Sequence, residues 1–328
     1  MAKKKANVVY KCSNCGFTQP RWLGRCPECG EWNTLEEHTE DAGASSLPYG
    51  RIPDSSERIT PVPLSSVDPM ECERISTGNT EFDRVLGGGA TKRSAILIGG
   101  EPGIGKSTLL LQTASSVQSG GRVLYISGEE SASQIRARAD RLKINLENID
   151  ILCTLRLDDI DNALNSLNPM CVIVDSIQTV YSAEAGIVPG TVNQLKFCSN
   201  ELISWVKERD SVLFLSAHVT KDGVIAGPKS LEHMVDTVIS FERNSDDVRF
   251  LRAQKNRFGS VDELGIFSMT EAGLLPVEDP SAMFITQREG KLPAGIAIVP
   301  VFEGSRVFMV EIQALTVPAK ASIARVFS

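Results

Sequence analysis

The plainest chemistry in this 328-residue chain lies between Gly99 and Thr108, which reads Gly-Gly-Glu-Pro-Gly-Ile-Gly-Lys-Ser-Thr. Gly100, then Glu101, Pro102, Gly103 and Ile104, then Gly105, Lys106, Ser107 and Thr108 reproduce the Walker A spacing. Glycines at these positions let the backbone curl around a phosphate, and the amides of Gly103 to Ser107 are expected to converge on the β-phosphate of ATP. A helix opening at the exit would add the partial positive charge of its N-terminus. Lys106 is expected to bridge the β- and γ-phosphates. The Ser107 hydroxyl is expected to face Mg²⁺, an ion that completes its octahedron mostly from phosphate oxygens and water. A glycine turn that merely caps a helix is the alternative.

Two carboxylates fit the same reaction. Asp175 ends the apolar run Cys171-Val172-Ile173-Val174, as a Walker B aspartate does, and is expected to hold the magnesium hydration shell opposite Ser107. Glu129, in Gly128-Glu129-Glu130-Ser131 after the run Arg122 to Ser127, is placed to orient or deprotonate the water that attacks the γ-phosphate. The competing reading, a first-turn acid complementing a helix dipole, suits Glu130 better than Glu129. His218, after the run Ser211 to Ala217, either senses the γ-phosphate or is an ordinary hydrogen-bonded histidine, and the sequence leaves both open. Lys255-Asn256-Arg257-Phe258-Gly259 places two cations around Asn at a strand end, which is either a phosphate-reading device or a solvated basic turn.

A separate chemistry opens the chain. Cys12-x2-Cys15, ten residues, then Cys26-x2-Cys29 presents four thiolates to one tetrahedral Zn²⁺, with Gly16 and Gly30 following the pairs. So short a segment buries too little surface to fold alone, so the metal would supply its stability. Phe17, Trp22 and Trp32 are expected to fill the small core around that metal, with stacking on nucleic-acid bases as the alternative.

The elements that must position these groups follow from the pattern. Ala95 to Ile98 reads as a buried strand entering the phosphate loop, Leu109 to Leu111 as a helix leaving it, and further strand-helix alternation runs through Ile149–Cys153, Asp158–Leu167, Cys171–Asp175, Val192–Lys207 and Ser211–Ala217. That alternation predicts an α/β fold with a mostly parallel sheet, whose strands' C-terminal edge binds ligands. Thr237–Glu242 and Val248–Ala253 read as its last strands. A short helix near Phe82–Leu86 ends in glycines. Acids, Ser, Gly and Pro over 36–63 read as a flexible linker between a metal module at 1–35 and a core that starts near Leu64. Ser182–Gly190 and Val219–Lys229 read as polar loops, the first mobile.

Composition narrows the class. At 42% hydrophobic and 23% charged residues the chain is ordinary globular material, and its net charge of −7 excludes a globally basic nucleic-acid surface. Any polyanion contact must be local: residues 1–35 hold six Lys or Arg and two Glu, a balance of +4. No apolar stretch has the length of a membrane span, and Met1-Ala2-Lys3-Lys4-Lys5 lacks a signal-peptide core, so a cytoplasmic protein without a membrane partner is expected. Of the eight cysteines, Cys72, Cys153, Cys171 and Cys198 are scattered, as buried or free thiols are in a reducing compartment.

Taken in order, the four-cysteine start, Gly100–Thr108, Gly128–Ser131, Val174-Asp175-Ser176, His218-Val219-Thr220-Lys221 and Lys255–Gly259 resemble the RadA/Sms family of bacterial RecA-like DNA-repair ATPases over nearly the whole chain. The resemblance implies a RecA-like ATPase domain over 64–280 and a partial, truncated Lon-protease-like domain over 281–328, without an assignable Ser-Lys proteolytic pair. It implies that Lys255 and Arg257 act in trans on the ATP of a neighbouring subunit in a homo-oligomeric ring, and that Glu129 is the catalytic glutamate. It implies that the loops at 182–190 and 219–229 meet single-stranded DNA, that branched DNA is processed by branch migration, and that a recombinase is a partner. Ala90-Thr91-Lys92-Arg93-Ser94 departs from the family's usual Pro-Gly turn. A nucleotide-controlled scaffold for protein partners, similar to circadian-clock ATPases, is the alternative, and a Lon-like peptidase a weaker third.

Overall fold

The computed structural model describes residues 7–12, 18–19, 22, 24–27, 32, 35–40, 63–66, 73–186, 191–218, 230–243, 248–290 and 293–314. They fall into two compact units, Met1–Arg51 and Ile52–Ser328. In the first, β1 (Asn7–Cys12) is the middle of a three-stranded antiparallel sheet with β2 (Thr18–Gln19) and β3 (Leu35–Glu40). Leu35–Glu40 is therefore strand where its acids had suggested the start of a linker. A narrow hairpin-like pairing with β1 needs no apolar face, so composition alone could not reveal it.

In the second unit a 3-10 turn at Leu64–Ser66 precedes β4 (Arg74–Ile75), which pairs antiparallel with β5 (Ala90–Thr91). Between them lies α1 (Thr80–Leu86), capped by Asn79, whose side chain accepts from the amides of Glu81 and Phe82. It stops at Gly87, whose φ of 83° is the left-handed turn that glycine makes at least cost.

The core is a nine-stranded sheet. Its strands are β6 (Ser94–Gly100), β7 (Val123–Ser127), β8 (Ile149–Cys153), β9 (Cys171–Asp175), β10 (Val212–His218), β11 (Thr237–Arg243), β12 (Val248–Asn256), β13 (Leu264–Thr270) and β14 (Gly273–Pro276). The spatial order is β14-β13-β12-β11-β6-β10-β9-β7-β8, parallel from β11 to β8 and antiparallel from β11 to β14. The run Ala95 to Ile98 shows why β6 is central. Ile96 and Ile98 pack into one apolar core, and Ala95 and Leu97 into the other. A strand apolar on both faces has to lie between two helical layers.

Those layers are α2 (Lys106–Val117) and α3 (Ala132–Arg141) on one face, and α4 (Leu157–Leu167) and α5 (Val192–Lys207) on the other. A short α6 (Ser230–Met234) precedes β11. Each fully buried Leu or Ile in these cores contributes roughly 1.5–3 kcal/mol. The alternation read from the sequence is reproduced element by element, and α5 has the expected bounds. Strands β13 and β14 had not been anticipated, although Glu271-Ala272-Gly273 marks the turn between them.

Beyond the sheet, β15 (Ile296–Glu303) and β16 (Arg306–Gln313) form an antiparallel hairpin. Phe308 packs it onto Leu264 and Ile266. Arg306 also forks onto Glu81 of α1 at 3.1 and 2.6 Å. Glu81 is 4% exposed and in turn accepts the amide of Ile266.

Candidate active site

The parallel register brings the chemistry to one edge. His218 pairs with Gly100, and Ser127 with Asp175, so the ends of β6, β10, β9 and β7 lie in a row. Glu101, Pro102 and Gly103 form an exposed crest, Ile104 turns back into the core, and Lys106, Ser107 and Thr108 make the first turn of α2. The glycines have separate reasons. Gly103 adopts a φ of 76° with no atom within 4 Å of where a Cβ would stand, which leaves that side of the loop open to a ligand. Gly105 adopts a φ of 120°, and a Cβ there would stand 2.5 Å from Met269 Cε.

Lys106 is buried, and its ammonium donates to the carbonyls of Gly100 at 2.7 Å and Glu101 at 3.0 Å. It also lies 3.3 Å from His218 Nδ1. Burial pushes the Lys106 pKa down, and the carboxylates of Asp175 and Glu129 pull it back up, which places both acids within electrostatic reach of the loop. An ammonium has only donors, so Nδ1 is the acceptor in that contact and Nε2 is left to donate. That Nε2 lies 3.2 Å from Glu129 Oε1, which also accepts from Ser176 Oγ at 2.6 Å. Gln178 clamps the His218 backbone from both sides, accepting from its amide at 2.9 Å and donating to its carbonyl at 3.1 Å.

Glu129 and Glu130 part company in the structure. Glu130 pairs with Arg138 of α3, whereas Glu129 is 44% exposed at the row of strand ends. Asp175 accepts from the Tyr125 hydroxyl at 2.9 Å. Burial, reinforced by Asp175, raises the tyrosine pKa far enough to keep it a donor.

The groups present fit a magnesium nucleotide. Ser107 and Asp175 offer hard oxygen donors, Asp175 is within electrostatic reach of Lys106, and no described residue hydrogen-bonds the Ser107 hydroxyl. For zinc, Cys12 ends β1 and Cys26 is buried, while Cys15 and Cys29 lie outside the described residues. Four thiolates in two CxxC pairs are the donor set that zinc takes. Trp22 and Trp32 are not core residues: they are 54% and 68% exposed, with Arg25 over the Trp32 ring. So small a unit has too little interior for two indoles.

Lys255 and Arg257 are not at this edge. Asn256 pairs with Thr237, which pairs with Ile96, so the turn lies level with the start of β6 and about 13 Å of strand from Gly100. The reason is strand direction: β12 runs antiparallel, and its C-terminal end lands at the opposite edge. Lys255 donates to the carbonyls of Val235 at 2.6 Å and Glu232 at 2.8 Å, and burial lowers its pKa. Arg257, 58% exposed, is 3.8 Å from the buried Asp236. Asn256 donates weakly to Val85 and Leu86 at the end of α1. This chain therefore does not bring these cations to its own phosphate loop.

Ser182 and Gly186 are pinned by the buried Gln194, which accepts from the Ser182 amide and donates to the carbonyls of both, so the start of the expected mobile loop is anchored. Residues 187–190 and 219–229 lie outside the described residues. Tyr125, Ser176 and Gln178 were missed in the sequence. Ser176 alone carried a signal, as the residue after Asp175.

Two families match parts of the chain: one described as KaiC, an ATPase, over residues 75–152, and one described as a rubredoxin metal binding domain over residues 10–37. Among curated proteins, the DNA repair protein RadA of Treponema pallidum (strain Nichols) is 63% identical over 99% of this chain and 70% of its own length. The proteins of that name from Bacillus subtilis (strain 168) and Pseudomonas aeruginosa are 46% and 43% identical, over 97% and 95% of this chain and 69% and 68% of theirs.

Proposed function

The chain belongs to the family of the DNA repair protein RadA, and from that premise we propose that it is a Mg²⁺-dependent ATPase, stimulated by single-stranded DNA, that drives branch migration of recombination intermediates. The observation that carries this reading is the contact chain Lys106–His218–Glu129 at the mouth of β10. Residue 219, the next in the chain, begins the segment read as a DNA loop. A change at the γ-phosphate is thus one peptide bond from the loop it would move.

In the working site, Lys106 exchanges its carbonyl partners for phosphate oxygens, and the loop amides and the α2 N-terminus share that charge. A Mg²⁺ ion held by Ser107 and Asp175 would neutralise the phosphates and fix their orientation. Glu129, aimed by Ser176 and the Nε2 proton of His218, orients the attacking water. Lys255 and Arg257 reach the ATP of the next subunit in a ring, in keeping with their place on the far edge. Exposed Trp22 and Trp32 on a segment of net charge +4 support base stacking by the N-terminal unit. Zinc on Cys12, Cys15, Cys26 and Cys29 would supply that unit's folding energy. A recombinase is the expected partner.

Measuring ATP hydrolysis and nucleotide affinity with and without single-stranded DNA tests the reading: stimulation is expected, and indifference of both quantities to DNA refutes it. The KaiC match favours a second reading, a nucleotide-timed scaffold. Nucleotide-dependent capture of protein with no DNA retained would select it.

A further inference from the structure

A buried cation lies beneath the phosphate loop and has no part in the chemistry above. Arg249 is on β12, next to the strand that flanks β6, and is 3% exposed. Its register partner Arg243 is two residues beyond Phe241, which pairs with Gly100, so it sits at the loop's edge of the sheet. Its side chain shares the face of Leu251 and Ala253, the face on which α2 packs. Arg249 Nε donates to the carbonyl of Ile104 at 3.2 Å, inside the protein.

That bond has a directional consequence. In a trans peptide the C=O of one residue and the N–H of the next point in opposite directions. Fixing the Ile104 carbonyl inward therefore fixes the Gly105 amide outward, where a β-phosphate would be cradled. Gly105 cannot hold this orientation itself, because its φ of 120° is one of many that glycine adopts. A guanidinium is charged at all working pH values and carries its donors in a rigid fork. Held in low dielectric behind the loop, it also adds a permanent positive potential that favours phosphate.

We propose that Arg249 is a positioning residue for nucleotide binding, aiming the Gly105 amide at the β-phosphate by holding the Ile104 carbonyl from behind. The proposal rests on the nucleotide-site reading of the loop. Because the amide it aims meets the β-phosphate, the effect falls equally on ADP and ATP and appears in KM rather than in kcat.

The test uses the full chain and fluorescent ADP and ATP analogues, with AMP as the ligand lacking a β-phosphate. Wild-type protein should bind both analogues, and if it binds neither, the nucleotide reading fails and this proposal with it. With wild-type binding established, Arg249→Gln should weaken ADP and ATP about tenfold each, the loss expected for one charge-assisted hydrogen bond. KM should rise by the same factor, kcat at saturation should hold, and AMP binding should not move. Arg249→Lys, which keeps the charge but not the fork, should recover part of the loss. Unchanged ADP affinity in a cooperatively melting Arg249→Gln protein overturns the proposal, as does a fall in kcat at constant KM. Where the Gln variant does not fold, the Lys variant decides: about a threefold loss for ADP and ATP alike supports the proposal, and wild-type affinity refutes it.

Discussion

Substitution of Arg257 by Ala separates a structural from a trans-acting role by magnitude. Its side chain is 58% exposed and its ion pair with Asp236 is long, at 3.8 Å. Exposed pairs of this kind contribute less than about 1 kcal/mol, and Asp236 keeps Lys207 at 3.1 Å and the Ala95 amide at 3.0 Å. Thermal stability should therefore move by no more than a few degrees. Loss of a trans-acting finger instead lowers kcat by roughly 10³–10⁵. Arg257→Ala and Lys106→Ala proteins should each be inactive when assembled alone. Mixed in equal amounts, an interface works when the subunit supplying the phosphate loop carries Arg257→Ala and its neighbour carries Lys106→Ala. In a head-to-tail ring that combination has a probability of one half times one half, so about a quarter of wild-type activity should return. ATP hydrolysis across a series of mixing ratios measures it. No recovery at any ratio, or near-full activity of Arg257→Ala alone, would refute action across the interface.

Burial holds the Lys106 pKa below its ordinary 10.5, so between that lowered value and 10.5 the unfolded chain binds more protons and stability without nucleotide rises with pH. Phosphate favours the ammonium, so nucleotide binding on the alkaline side should take up a proton and weaken as pH rises, visible by calorimetry in two buffers of different ionisation enthalpy. Ser176→Ala removes the 2.6 Å donor from Glu129 and should lower kcat about tenfold with ADP affinity intact, and an unchanged kcat would show that Glu129 needs no such aim. Arg306→Met leaves Glu81 buried without its fork and should cost about 2–3 kcal/mol in chemical denaturation, with a double-mutant cycle through Glu81→Gln returning a coupling well above 0.5 kcal/mol. Chelation of zinc should abolish the circular-dichroism signal of residues 1–51 expressed alone, and a signal indifferent to the chelator would remove the metal from the folding argument.

Much of the core was legible because its strands are apolar on both faces. Ala95–Ile98 and Cys171–Val174 cannot be anything but interior, and in a parallel sheet the residues that follow must share one edge. Gly100, Asp175, Glu129 and His218 were placed by that reasoning. The same reasoning gave no edge for Lys255 and Arg257, since the end of a strand is a ligand edge only when the strand runs with its neighbours. The reversal between β11 and β12 decides this, and no residue type announces it. Arg249 was hidden for another reason: a lone arginine in a strand reads as solvent-facing. Its parity with Leu251 and Ala253 was the one available signal. Ser176, Tyr125 and Gln178 act through hydrogen bonds between elements far apart in sequence, which spacing cannot encode.

The sheet thus has two edges with different mechanical demands. At the phosphate edge, Lys106, His218 and Glu129 are joined by contacts of 3.3 and 3.2 Å that the proposed exchange of partners for phosphate oxygens would break. At the far edge the turn is held: Arg74 donates to the carbonyls of Leu86, Gly89 and Phe258, and Asn256 accepts from the Phe258 amide. Gly87 and Gly259 pack so closely that a Cβ on Gly259 would lie 3.1 Å from the Gly87 Cα. A rigid backbone that presents an exposed arginine loses little entropy on docking, because its ordering is already complete before the phosphate is met. That contrast is what the proposed completion of the reaction by a neighbour would call for: a turn already ordered where Arg257 would have to meet another chain's phosphate.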